Sequence, residues 1–481
     1  MPANKNTVIG NMLWRFAERC GAQGVSFLVS LVLARLLMPE EYGVVSLITI
    51  FTTILNLFMD AGFKNALIQK KNADQTDYST VFYFNIFMGL LLYLGMFAAA
   101  PAISRFYGME MTLYIRVLSL TLVMGGINGV QSAYVAKRME FRRFFYATLG
   151  GTVVSAFIGI GMACGGYGVW ALIAQRLSNQ AINILVLWFT VRWRPSFVFS
   201  FDRLKPMFHY GSRILGSSLL DSLTSNLTSL IIGKMYPADT LGYYDKGQRL
   251  PRLVVENLQM SVQSVLFPVI AERQENRDKI KQVLRRSYVT SAYCIFPCMA
   301  GIAVCAEPIV RILYTEKWIS MVPYVQVWCF IYAFYLLHTA DLQVIQAVGR
   351  SDIFLKIEVI KQILSLAGIL IAIPFGVMAM MLSMCAVTVI SLYINARPNQ
   401  ELAGYGFTEH IKDIVPVIVL NIFMALAVSA AGKLPLPDML LLAVQILTGA
   451  AVYTAGSVLL RMDSFLYIKE TAGSFIRRRG K

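Results

Sequence analysis

The sequence predicts an all-α integral membrane protein of about 14 transmembrane helices, in two parallel six-helix lobes followed by two C-terminal helices. Three observations carry that expectation: an apolar composition, fourteen apolar runs of spanning length, and an internal repeat whose copies each hold six of those runs.

Of the 481 residues, 57% are hydrophobic and 15% charged, and mean hydropathy is +0.60. Soluble domains sit near 45–50% apolar and about 25% charged. This chain has too little polar surface to cover soluble domains, and the same numbers exclude intrinsic disorder. Lys and Arg total 43 against 27 Asp and Glu, a net charge of +16. In a soluble chain that excess would point to nucleic acid. Here it gathers in short loops between apolar runs, so membrane lipids, and no nucleic acid, are the expected neighbours. The seven cysteines lie in or beside apolar runs without zinc or redox spacing and read as small core residues.

A span needs about 20 mainly apolar residues. The fourteen runs cover 12–36, 43–68, 79–104, 112–136, 144–164, 168–192, 209–234, 246–271, 284–308, 321–347, 352–374, 377–396, 411–431 and 436–460. The first is too long for a signal-peptide core and lacks a small-residue cleavage site, so it is expected to stay as a helix. The fifth and sixth form a hairpin cut by Gly165 and Gly166. The eleventh and twelfth form another, cut by Pro374 and Gly376. With the N-terminus placed in the cytoplasm, 27 Lys and Arg fall on the cytoplasmic side and 7 outside. That asymmetry sets the expected orientation, with both termini in the cytoplasm. The basic tail ending in Arg477, Arg478, Arg479 and Lys481 then faces an anionic leaflet, where each charge contributes about 1 kcal/mol.

The second half echoes the first. ARLLMPEEYG, with Pro39 and Gly43, corresponds to GKMYPADTLG, with Pro237 and Gly242. AAPAISRFY, with Pro101 and Tyr107, corresponds to AEPIVRILY, with Pro308 and Tyr314. YGVWA at Gly168 corresponds to FGVMA at Gly376. Each copy holds six spans, an even number, so both enter the bilayer from the same side and are parallel repeats. The expected organisation is an N-lobe over 1–192, a cytoplasmic linker over 193–208, a C-lobe over 209–397, two extra helices over 398–460 and a basic tail over 461–481.

Charged side chains inside a bilayer cost about 2.5–3.5 kcal/mol on insertion scales and normally face a bundle interior or a wet cavity. Span 1 places Arg15, Arg19, Gln23, Ser26 and Ser30 on one face, with Glu18 adjacent. Span 7 does the same with Ser218, Asp221, Ser222, Ser225 and Ser229. Span 8 does so with Arg249, Arg252, Glu256, Gln259 and Gln263. Asp60, Asp221 and Asp341 are candidate ion-coupling carboxylates. His338 and Asp341, three residues apart, are a candidate relay. The competing readings are local: Asp60 precedes Lys64 by four residues and pairs with it, and Arg15, Arg249 and Arg252 snorkel to the interfaces. No Walker A, HExxH or GxSxG motif occurs, so neither an enzyme, a cofactor nor a metal site is expected.

The stretch LWRFAERCGAQGVSFLVSLVLARLLMPEEYG, with the following DAGFKNALIQKK, resembles the polysaccharide transporter (Wzx-like) flippases. These belong to the superfamily that also holds the lipid II flippases and the MATE drug exporters. The resemblance is densest over residues 12–72. It implies two lobes forming a V, open to one side at a time. It also implies a cargo: an oligosaccharide repeat unit on undecaprenyl diphosphate, made and used by glycosyltransferases and a polymerase of the same pathway. Given that cargo, Arg15, Arg19, Arg213, Arg249 and Arg252 are the candidate diphosphate contacts, because guanidinium meets phosphate through paired charged bonds. Glu18, Asp221 and Ser225 complete the candidate cavity. Two rivals stand beside this reading: a cation-coupled exporter of small organic molecules, and a membrane glycosyltransferase or polymerase.

Overall fold

The computed structural model of the chain describes residues 21, 23–60, 62–70, 72–272 and 276–466; the side chains of Tyr210, Arg213, Ile214, Ser217, Leu220, Asp221 and Ser261 lie outside that description. Every regular element among the described residues is a helix. A helix satisfies its backbone polar groups internally, as hydrocarbon demands. The first described helix is α1 (Gln23–Leu36). There follow α2 (Pro39–Asp60), α3 (Phe63–Gln69), α4 (Gln75–Tyr107), α5 (Thr112–Leu118), α6 (Leu120–Lys137), α7 (Phe141–Cys164), α8 (Val169–Thr190) and α9 (Phe201–Met235). The second half holds α10 (Ala238–Ala271), α11 (Arg277–Val304), α12 (Ala306–Tyr314), α13 (Val322–Ala333), α14 (Tyr335–Ala347), α15 (Ser351–Ala372), α16 (Val377–Ala403), α17 (Phe407–Ala431) and α18 (Asp438–Leu459). Eleven spans among the described residues are long and apolar enough to cross a membrane. The protein is a multi-pass membrane protein. α8 and α9 have the length but are more polar.

Several expected spans are pairs of helices. The second breaks at Gly62, which adopts φ 73, a left-handed conformation that glycine takes without strain. A Cβ there would lie 2.7 Å from Gly211 Cα of α9. The ninth breaks at Cys305 and the tenth at Phe334. Helices also outrun the apolar runs that announced them. α4 starts at a capping box in which Asp74 and Asp77 each accept the other's backbone N–H, at 2.9 and 3.0 Å. That bond to the Asp77 N–H holds the Asp74 carboxyl below its ordinary range. α9 starts at Phe201 rather than 209, because its polar first turns still bury Leu204 and Met207.

The chain divides into two compact units, 1–242 and 243–481. In the first, α4 packs on α6, α7 on α8, and α9 on α2, α3 and α4. The boundary therefore falls at Gly242, beyond the 193–208 linker. Phe63, Leu67, Tyr78, Val81, Phe82, Val130 and Trp193 form its core at one end. The linker is stitched to α4: Gln75 Nε2 donates to Arg194 O at 2.6 Å, and Ser200 N to Thr80 Oγ1 at 3.1 Å. Asp77, fully buried, is paired with Lys70 at 2.7 Å and Arg203 at 3.4 Å.

The first repeat match meets itself in this unit. A Cβ on Gly43 would overlap the carbonyl oxygen of Ala238, and one on Gly242 would overlap that of Pro39. The displacement that carries Pro39 onto Ala238 also carries Gly43 onto Gly242. The two approaches thus involve equivalent positions of the repeat, a glycine against a carbonyl oxygen each time.

In the second unit α11 is the hub, packing on α13, α14 and α17, while α15 pairs with α16 and α17 with α18. Tyr293 OH donates to Ser457 Oγ at 2.8 Å, and Tyr453 OH to Tyr293 O at 2.7 Å. These bonds tie α18 to α11.

Candidate functional site

Two groups of polar residues stand inside the apolar second unit. The first lines a cavity of about 390 Å³. α10 supplies Gln259 and Gln263, α14 supplies His338, Gln343 and Gln346, α15 supplies Glu358 and Lys361, and α16 supplies Thr388 and Ser391. Lys361 Nζ donates to Glu358 Oε1 at 2.5 Å, with the two side chains 16% and 31% exposed. Four glutamine amides and a neutralised ion pair give donors and acceptors without net charge, a lining suited to hydroxyl groups.

The second group is buried. Asp341 on α14 and His410 on α17 are 0% and 1% exposed, with Asp341 Oδ1 3.0 Å from His410 Nε2. Asn399 Nδ2 on α16 donates to the same Oδ1 at 3.0 Å. Asn395 Nδ2 stands 3.0 Å from His338 Nδ1, and His338 reaches the cavity. His410 Nδ1 lies 2.8 Å from the Gly406 carbonyl oxygen. Beyond it Tyr405 OH donates to Asp413 Oδ2 at 2.7 Å, and Arg285 grips Asp413 with two bonds of 2.7 Å.

Arg15, Glu18 and Arg19 lie outside the described residues, as do the side chains of Arg213 and Asp221 on α9. Ser225 is exposed on α9. Arg249 and Arg252 are exposed on α10, and Arg252 Nε donates to Glu256 at 2.6 Å. Asp60 accepts the Lys64 backbone N–H at 3.3 Å, capping α3. The His338–Asp341 relay is not formed. α14 turns His338 toward Asn395 and the cavity, and turns Asp341 toward α16 and α17, where its partner is His410. Of the stripe on span 8, Gln259 and Gln263 reach the cavity.

The sequence reading missed His410, because α17 lies outside the repeat. It also missed the polar face of α8. There Arg176 donates to Thr49 Oγ1 at 3.0 Å, Asn179 to Ser155 Oγ at 3.3 Å and Gln180 to Thr121 O at 3.0 Å, while Asn183 accepts from Asn128 at 3.4 Å. The helical spacing of Arg176, Asn179, Gln180 and Asn183 was the available signal.

Fold and site together define an all-helical multi-span membrane protein with polar groups held inside its bundle. Comparison with known proteins gives the family. Residues 32–323 match the polysaccharide biosynthesis protein family, and the chain belongs to it. The succinoglycan biosynthesis transport protein ExoT of Rhizobium meliloti is 26% identical over 316 residues, 66% of this chain and 64% of that protein. The teichuronic acid biosynthesis protein TuaB of Bacillus subtilis is 26% identical over 63% of both chains. The match thus spans a little under two thirds of each of these two relatives. The lipopolysaccharide biosynthesis protein WzxC of Escherichia coli is 23% identical over 85% of this chain and 86% of that one. In fold, the chain is similar to the lipid II flippase MurJ in an inward closed conformation, with TM-score 0.72, 14% identity, and coverage of 94% of this chain and 99% of that one. It is also similar to an inward-facing multidrug resistance MATE transporter, with TM-score 0.60, 14% identity, and coverage of 78% and 95%.

Proposed function

We propose that the protein is a flippase that moves a polyprenyl-diphosphate-linked oligosaccharide across the bacterial cytoplasmic membrane for a surface polysaccharide. Family membership is the single observation that carries this reading. The relatives named for succinoglycan transport and for teichuronic acid and lipopolysaccharide biosynthesis support it, each for a different polymer. A diphosphate and several sugars cannot cross hydrocarbon unaided, since each unmet polar group costs several kcal/mol, on the order of 2–7. A protein path must replace water around them while the prenyl chain stays in lipid. No covalent bond changes.

In this reading the glutamine-lined cavity of the second unit takes sugar hydroxyls. Arg15, Arg19, Arg213, Arg249 and Arg252 are the diphosphate candidates, and Glu18, Asp221 and Ser225 are further candidates for the cargo path. Both termini lie in the cytoplasm. Glycosyltransferases supply the cargo and a polymerase consumes it. The fold likeness to a multidrug transporter is met by an exporter of organic cations as well. The sequence relatives favour a saccharide cargo.

Deleting the gene in its native host should abolish the surface polymer and trap lipid-linked oligosaccharide on the cytoplasmic leaflet. Wild-type protein should restore export, and Arg19→Ala at equal abundance should not. Full polymer output from the deletion strain would refute the function. Full output from Arg19→Ala would remove Arg19 from the path.

A further inference from the structure

The geometry of His410 fixes a proton count. Both ring nitrogens face acceptors: Nδ1 faces the Gly406 carbonyl oxygen at 2.8 Å, and Nε2 faces Asp341 Oδ1 at 3.0 Å. A neutral imidazole has one N–H and so meets only one of them as donor. The pair meets both contacts only with one further proton, either on Nε2 as imidazolium with carboxylate, or on Oδ1 as neutral imidazole with carboxylic acid. The surrounding cluster is also short of donors. Asp341 Oδ2, Asn395 Oδ1 and Asn399 Oδ1 are buried acceptors with no hydrogen-bond partner among the described residues.

We propose that Asp341 and His410 form a proton-binding site that couples transport to the proton gradient. This deepens the flippase reading and rests on it. The charged groups nearest the pair are already matched. Arg285 on α11 is held by Asp413 of α17 at 2.7 Å, and Lys361 on α15 by Glu358 at 2.5 Å. Tyr288 of α11 and Tyr405 meet the His410 ring edge-on and tilted, at 4.4 and 4.0 Å between centroids. His338 of α14 bonds Asn395. Arg285 and Lys361 thus already have carboxylate partners, and the proposed site of proton gain and loss is the pair itself.

Loss has a mechanical consequence. When that shared proton leaves to water, the one N–H left on the imidazole faces either Asp341 Oδ1 or the Gly406 carbonyl oxygen, and the other contact becomes acceptor against acceptor. The His410 bridge between α14 and the turn that opens α17 is thereby weakened. Polar neighbours lead away on both sides. One side runs through Asn399, Asn395 and His338 to the 390 Å³ cavity. The other runs through Tyr405 to Asp413, which lines a separate pocket of about 680 Å³ with Arg285 and Lys412.

Infrared difference spectra of the full chain in liposomes, taken between about pH 5 and pH 8, test proton binding directly. A titrating carboxyl or imidazole band that both Asp341→Asn and His410→Gln remove or shift is expected. A spectrum with neither band overturns the site. Liposomes holding the same protein and a fluorescent polyprenyl-diphosphate oligosaccharide test the coupling. An imposed pH gradient should accelerate wild-type translocation several-fold, and that acceleration should vanish in both variants. Undiminished acceleration in both overturns the coupling. If the wild type translocates nothing, the flippase reading fails, and the titrating band still decides whether the pair binds a proton.

Discussion

At the residue scale, ionisable groups inside an apolar bundle are held by specific partners. Asp341 and His410 are held by each other, so removing His410 leaves the buried carboxyl with Asn399 alone. His410→Leu should cost about 3–5 kcal/mol of stability, read as a fall in melting temperature in detergent. The double variant Asp341→Leu with His410→Leu should recover part of that loss. Asp74 acts outside the bilayer. Its carboxylate accepts the Asp77 N–H at the start of α4, and Asp74→Ala should cost about 1 kcal/mol. Because its pKa is lowered in the folded state, its contribution is complete above the unfolded carboxylate range and disappears as the pH falls through the folded one. The wild type should therefore lose its advantage over Asp74→Ala in acid, and a difference in melting temperature independent of pH would contradict this. In the cavity, replacing Gln343 by Leu leaves a hydroxyl partner unmet. It should weaken saccharide binding about ten-fold, or about 1.4 kcal/mol, measured by calorimetry.

At the element scale, the repeat predicted in sequence has a physical contact behind it. Pro39 with Gly43 and Pro237 with Gly242 open α2 and α10, and the two turns cross with a glycine against a carbonyl on each side. Gly43→Ala forces backbone to move and should cost about 1–3 kcal/mol, read as reduced folded yield and melting temperature. Gly24→Ala, where a Cβ meets nothing within 4 Å, serves as the control. The apolar runs located the helices, because hydropathy reports burial in lipid directly. They did not show that α9 begins at Phe201, since an interfacial turn is polar by composition. Nor did they show the break at Gly62, which depends on the approach of Gly211 from α9. α17 was legible as a span, but its role was not. Asp341 and His410 are 69 residues apart, and nothing local links them.

At the scale of the whole molecule, composition, loop charge and the repeat were enough for the class. The family match and the likeness in fold to transporters agree with it. The site was less legible. The stripe on α10 included Gln259 and Gln263, which line the cavity, yet the Gln343, Gln346, Thr388 and Ser391 that complete it carried no charge to draw notice. The proposed flippase carries a lipid-linked saccharide across a bilayer on its own and leaves it chemically unchanged. The direct measurement uses sealed liposomes containing only this protein and a polyprenyl-diphosphate oligosaccharide placed in one leaflet, with a lectin added to the opposite side. The sugar should become accessible to lectin with its mass unaltered. Sugar that stays inaccessible while the protein is folded, or that emerges longer or transferred to another acceptor, would contradict it.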